Sequence, residues 1–95
     1  MYKNVTEKAA DRVVEANHRV LISAVQMYRF VNDLKDPSDI EDLDEYVEGG
    51  IENLGPKGDE YKAEYEIEER PDGSLVLVSV APSGTKFEYE ITEKQ

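Results

Sequence analysis

Cysteine is absent from the 95 residues, which excludes a disulfide framework, a thiolate metal centre and a cysteine nucleophile. No apolar run approaches the ~18 residues of a membrane helix, and no signal-peptide pattern opens the chain. A soluble chain is therefore the expectation. Basic residues are scarce, 11 against 22 acidic, for a net charge of −11. That balance argues against a dedicated nucleic-acid binder, because a phosphate backbone needs a basic footprint. Glycine and proline are missing from Val5 through Leu34, so nothing interrupts a helix there. The only histidine is His18, which rules out a multi-histidine metal site and leaves no partner for a nucleophilic triad. It reads as a plain surface or interface histidine. No Gly-rich phosphate loop, serine elbow or zinc signature is present. A small helix-and-sheet domain also offers little room for a deep pocket. An enzyme is not expected, nor a cofactor, a metal or a small-molecule substrate.

The remainder is 39% hydrophobic and 35% charged, enough for one modest core in a single domain spanning residues 1–95. Charge is unevenly placed. Residues 1–35 hold six basic and four acidic side chains, a balance of +2, whereas residues 36–95 hold five basic and 18 acidic, a balance of −13. Such an asymmetry serves either solubility alone or attraction between a basic segment of one subunit and the acidic body of another.

Three regions follow: a long helix over 1–35, a connecting region with a short helix over 36–58, and a β-meander over 59–95. At 100° per residue, Val5, Ala9, Val13, Ala16, Val20, Ala24, Met27, Val31 and Leu34 share one side, with Ala10, Val14, Leu21, Val25 and Tyr28 beside them. This arc covers roughly 200°, about twice that of an ordinary amphipathic helix. Asp36-Pro37 is expected to stop the helix. Ser38 or Asp39 can cap the short helix through Ile40, Leu43, Tyr46 and Val47, which Gly49-Gly50 ends. Alternation predicts a strand from Tyr61 to Glu68. Leu75 to Val80 is apolar on both faces and reads as the central strand, and Phe87, Tyr89 and Ile91 mark a third. Pro71-Asp72-Gly73 and Pro82-Ser83-Gly84 supply the turns. The class is α+β, a long N-terminal helix packed on a three-stranded antiparallel meander.

About 30 helical residues span ~45 Å, whereas strands of seven or eight residues span ~25 Å. The helix should therefore overhang the sheet, and the overhang is expected at its N-terminal turns, the other end being tied to the domain. Those turns carry Val5, Ala9, Ala10, Val13 and Val14. The alternatives are that the short helix folds back over them or that they fray.

The acidic cluster Asp36, Asp39, Asp42, Asp44, Glu45 and Glu48 supplies oxygens suited to Ca²⁺, but Glu41 stands where an EF-hand loop needs glycine. A solvated helix face is the simpler reading.

From Glu7-Lys8-Ala9-Ala10-Asp11 through Asn17 to Tyr28, then across Asp42 to Gly50 and the turns at Asp72 to Val76 and Pro82 to Thr85, the chain resembles the soluble part of type IV pilins and type II secretion pseudopilins. The resemblance implies that residues 5–28 form the second half of a long helix whose membrane-embedded first half lies outside this sequence. It further implies a structural subunit at the cell surface, in an extracellular filament or secretion pseudopilus. Its partners would be copies of itself or other pilins, and membrane contact would be only through that absent segment. The expected subunit interface is Val5, Ala9, Ala10, Arg12, Val13, Val14, Ala16 and Arg19, with Arg12 and Arg19 facing acidic groups of the next subunit. The cysteine pair of many pilins is missing. The alternative function is an acidic adaptor module that docks one protein partner on its apolar helix face.

Overall fold

The computed structural model describes residues 6–56 and 61–92. It consists of helix α1 (Glu7–Val31), two 3-10 helices (Ile40–Tyr46 and Ile51–Asn53) and strands β1 (Glu64–Glu69), β2 (Leu75–Val80) and β3 (Lys86–Glu90). The class is α+β: one long N-terminal helix on an antiparallel sheet of order β1-β2-β3. The thinnest dimension of the Cα envelope is 15 Å, room for one helix layer on one sheet layer.

Helix α1 starts where the Thr6 side chain accepts the Ala9 backbone N–H at 3.1 Å, satisfying one of the orphan donors of the first turn. It ends three residues before Leu34, earlier than the proline signal implied. Asn32 caps it by donating both its backbone N–H and its side-chain amide to the Tyr28 carbonyl, at 2.9 and 2.8 Å. Asp33 and Leu34 then turn left-handed, with φ of 55° and 65°, and the Leu34 N–H returns to the Arg29 carbonyl at 2.7 Å. This closes the helix in the manner usually left to glycine.

The short helix is a 3-10 helix held by a capping box between Asp39 and Asp42. Asp42 accepts the backbone N–H groups of Ser38 and Asp39 at 3.1 and 3.2 Å. Asp44 accepts the Ile51 N–H at 2.8 Å, tying the two 3-10 helices together across Gly49 and Gly50, both at positive φ.

The first strand is shorter than alternation suggested. Its pairing begins at Glu64 opposite Val80, and beyond Val80 the chain turns away at Ala81, leaving Tyr61 to Ala63 without a ladder partner. The inner sheet face carries Tyr65, Ile67, Leu75, Leu77, Ser79, Phe87 and Tyr89. The core joins Leu21, Ala24 and Val25 of α1 to Leu43, Val47, Leu77 and Ile91. Near the end of α1, Arg29 forms an ion pair with Asp36 at 3.0 Å, and Asp36 also accepts the Thr92 hydroxyl at 3.1 Å.

The position of the helix corrects the overhang expectation. The turn after β2 reaches the start of α1, where Asp11 accepts both the backbone N–H and the hydroxyl of Ser83. Burial along α1 consequently begins at Ala10 and runs through Val14, His18 and Leu21 to Val25. The exposed end of the helix is its C-terminal one.

Candidate interaction surface

The apolar arc of α1 divides into two faces. Ala10, Val14, His18, Leu21, Ala24 and Val25 are buried under the sheet and the connecting region. On the other flank, Val13 is 40% exposed, Val20 43%, Met27 50%, Phe30 82%, Val31 57% and Leu34 70%. Ala9 and Ala16 lie exposed in line with them. Burying a side chain of Leu or Phe size stabilises by ~1.5–3 kcal/mol, so this stripe leaves a sizeable gain unrealised in the isolated chain.

Each residue expected at an interface has a definite place. Ala10 and Val14 are fully buried by the chain's own sheet and are unavailable to a partner. This correction follows from the docking of the Ser83 turn on Asp11. Val13, Ala9 and Ala16 face outward, as do Arg12 and Arg19. Arg19 stands 3.5 Å from Glu15 in an exposed i,i+4 pair, an arrangement that contributes little. Val5 lies outside the described residues, as does Tyr2. Phe30, Val31 and Leu34 were missed as exposed positions. The width of the apolar arc alone does not say which of its edges faces away from the sheet.

The sheet's outer side is acidic. Opposite one another across the ladder stand Glu64, Val80 and Lys86; Glu66, Val78 and Glu88; and Glu68, Val76 and Glu90. Val76 and Val78, on this side, are almost fully buried. Each is flanked on both neighbouring strands by glutamates, whose aliphatic stems can cover an apolar neighbour while the carboxylate stays in water, and Arg70 pairs with Glu88 at 2.8 Å. Partial desolvation, with Glu68 and Glu64 alongside, pushes the Glu66 carboxyl upward.

His18 is buried rather than at the surface, a correction to the sequence reading. Its Nδ1 lies 2.7 Å from the Ser79 hydroxyl oxygen, and its ring tilts against Phe87 at 5.9 Å. Burial lowers its pKa, with the Glu88 backbone acting in the opposite direction. Ser79 is itself fully buried, and the His–Ser pair works as an internal polar clasp between α1 and β2. The clue in the sequence was Ser79, the lone polar residue in Leu75 to Val80.

The acidic cluster of the connecting region is largely used up locally. Asp36 is paired to Arg29, Asp39 and Asp42 form the capping box, and Asp44 holds Ile51. Among the described residues no group of three or more His, Asp or Glu side chains stands in a metal-holding arrangement, and no helix is long and apolar enough to cross a membrane. No protein-family model, curated protein or solved structure matches the chain.

Proposed function

We propose that this protein is a structural subunit that assembles by packing α1 of one copy against the helix of another, the assembly mode implied by its resemblance to type IV pilins and pseudopilins. The single observation carrying the reading is the exposed apolar stripe Val13, Val20, Met27, Phe30 and Leu34 on a helix whose opposite flank already fills the core. The packing residues on this reading are Ala9, Val13, Ala16, Val20 and Met27, with Arg12 and Arg19 at the margin and Ala10 and Val14 withdrawn into the subunit. The acidic sheet face stays turned to water or to basic groups of neighbouring subunits. Surface localisation in a filament belongs to the same proposal.

Light scattering across a concentration series, with negative-stain microscopy of the most concentrated sample, tests it. Association that disappears in Met27→Glu supports the reading. A wild-type chain that stays monomeric throughout, in a background where other helix-bearing subunits are also present, overturns it.

A second reading, a docking module for one protein partner, has its own observation. Exposure rises toward the C-terminal end of α1, where Phe30 and Leu34 are far more open than Val13 and Val20. On that reading the heterologous partner covers Phe30, Val31 and Leu34 and leaves Ala9 and Ala16 free.

A further inference from the structure

The hydrogen-bond phase of the sheet decides which backbone groups its edges present. Arg70 donates its N–H to the Ser74 carbonyl at 2.8 Å across the first turn. Hydrogen-bonded pairs recur at every second residue of an antiparallel ladder, so Glu64, Glu66 and Glu68 spend their backbone groups on Val80, Val78 and Val76. Tyr65, Ile67 and Glu69 therefore direct their N–H and C=O groups away from β2, along the outer edge of β1. Among the described residues no group bonds to that edge. The opposite edge differs. Ala81 donates to the Thr85 carbonyl at 2.8 Å, which by the same rule leaves the backbone groups of Lys86, Glu88 and Glu90 facing outward on β3. There the Glu88 backbone meets the His18 ring of α1. The open edge is β1, and an open edge is a ready template for another strand. We infer that β1 takes an extended segment of a different protein, in which basic and apolar side chains alternate, as a fourth strand of the sheet. The inference is independent of how α1 assembles.

Side-chain alternation sets the composition of that segment. On the outer side the new strand lies beside Glu64, Glu66 and Glu68, and across a strand pair opposite charges stabilise whereas like charges destabilise. Among the described residues none of these three glutamates forms an ion pair. Arg70 is taken up by Glu88, and Lys86 stands two strands away from Glu64. Partial desolvation and the carboxylates of Glu68 and Glu64 push the Glu66 carboxyl upward, as crowding of like charge does. Lysine or arginine in the added strand would supply the missing counter-charge. On the inner side the segment lies beside Tyr65 and Ile67, both half-buried and packed against the core, where apolar neighbours extend the same layer.

A second copy of this chain does not meet that description. Its β2 is already paired on both sides. Its β1 offers Glu64, Glu66 and Glu68 on the outer side, and its β3 offers Lys86, Glu88 and Glu90. Laid along β1 in full register, the first opposes glutamate to glutamate in every row and the second in every row but one. The carboxylates that attract a basic strand thus hold copies apart, a common protection of strand edges.

A capped peptide of strictly alternating lysine and valine is the probe. A peptide of the same composition with its lysines clustered at one end is the control. Amide hydrogen exchange followed by NMR reads the site residue by residue. At saturating alternating peptide, exchange at Tyr65, Ile67 and Glu69 should slow by ~10-fold or more. The amides of Glu64, Glu66 and Glu68, already bonded to β2, should keep their rates. Combining Glu64→Gln, Glu66→Gln and Glu68→Gln leaves the edge backbone intact and should weaken binding ~10-fold by fluorescence anisotropy. Equal binding of the clustered control overturns the inference, since it marks a diffuse attraction to acidic surface. Binding without slowed exchange at the three edge amides overturns it as well, as does an absence of binding up to ~1 mM peptide. Slowed exchange at those amides in concentrated protein without peptide would show copies pairing there, and would overturn the choice of occupant.

Discussion

His18 of the helix and Ser79 of the central strand meet 2.7 Å apart inside the domain, each the other's polar partner in an otherwise apolar layer. Removing the hydroxyl with Ser79→Ala leaves a buried ring nitrogen unpaired, a loss of ~1–3 kcal/mol. Urea unfolding followed by circular dichroism measures it, and an unchanged midpoint would show that the clasp does not support the fold.

The same pair sets a pH dependence. Burial lowers the His18 pKa from its ordinary 6.5, so the folded state prefers the neutral ring. The associated stability is complete above 6.5 and declines as the pH falls through the lowered folded value. Unfolding midpoints recorded from pH 7.5 to pH 5 should fall, and His18→Phe should flatten that part of the profile.

On the sheet's outer side the sign reverses. Glu66 is pushed above its ordinary 4.5 by partial desolvation and by Glu68 and Glu64, so its ionised form detracts from stability at neutral pH. Glu66→Gln is expected to give a small rise in melting temperature at pH 7. That gain shrinks as the pH drops below 4.5, where the native carboxyl is protonated in both states. Calorimetry at the two pH values separates this from a general effect of the amide.

Leu34 holds a left-handed φ of 65° with its side chain largely in water. Leu34→Gly removes a backbone conformation that L-residues adopt at a cost of ~1–2 kcal/mol, partly offset by the greater freedom of glycine in the unfolded chain. The expected net is a gain approaching ~1 kcal/mol by chemical denaturation, together with weaker self-association. A loss of stability would mean that the leucine side chain is held by contacts of its own.

Met27→Glu and Phe30→Glu alter exposed positions, so the stability of the isolated chain should change by no more than ~0.5 kcal/mol. Both should abolish association measured by sedimentation. The control Val14→Glu should instead unfold the domain, because Val14 is fully buried.

The elements were largely legible in the sequence, and their assembly only in part. Leu75 to Val80 announced a central strand because both its faces are apolar, and the turns at Asp72-Gly73 and Ser83-Gly84 were marked by residues that tolerate positive φ. The helix was equally plain. What periodicity could not supply was the phase of burial, because a ~200° apolar arc leaves open which edge meets the sheet. Ala10 and Val14 lie just beside Val13 and Val20 on that arc, yet the first pair is sealed and the second is open. The deciding contacts, Asp11 with Ser83 and His18 with Ser79, join residues 72 and 61 positions apart, a distance over which local pattern carries no information. The helix end was misplaced for a related reason. Asn32, Asp33 and Leu34 terminate α1 without a glycine to signal it.

The Asp11–Ser83 contact pins the first turns of α1 beside the second hairpin. Anything joined ahead of Thr6, whether a fluorescent reporter, an affinity handle or a solid support, would therefore emerge there. Phe30 and Leu34 stand at the far end of a ~37 Å rod. Immobilising the protein through its start would thus present the apolar tip outward to whatever is offered in solution.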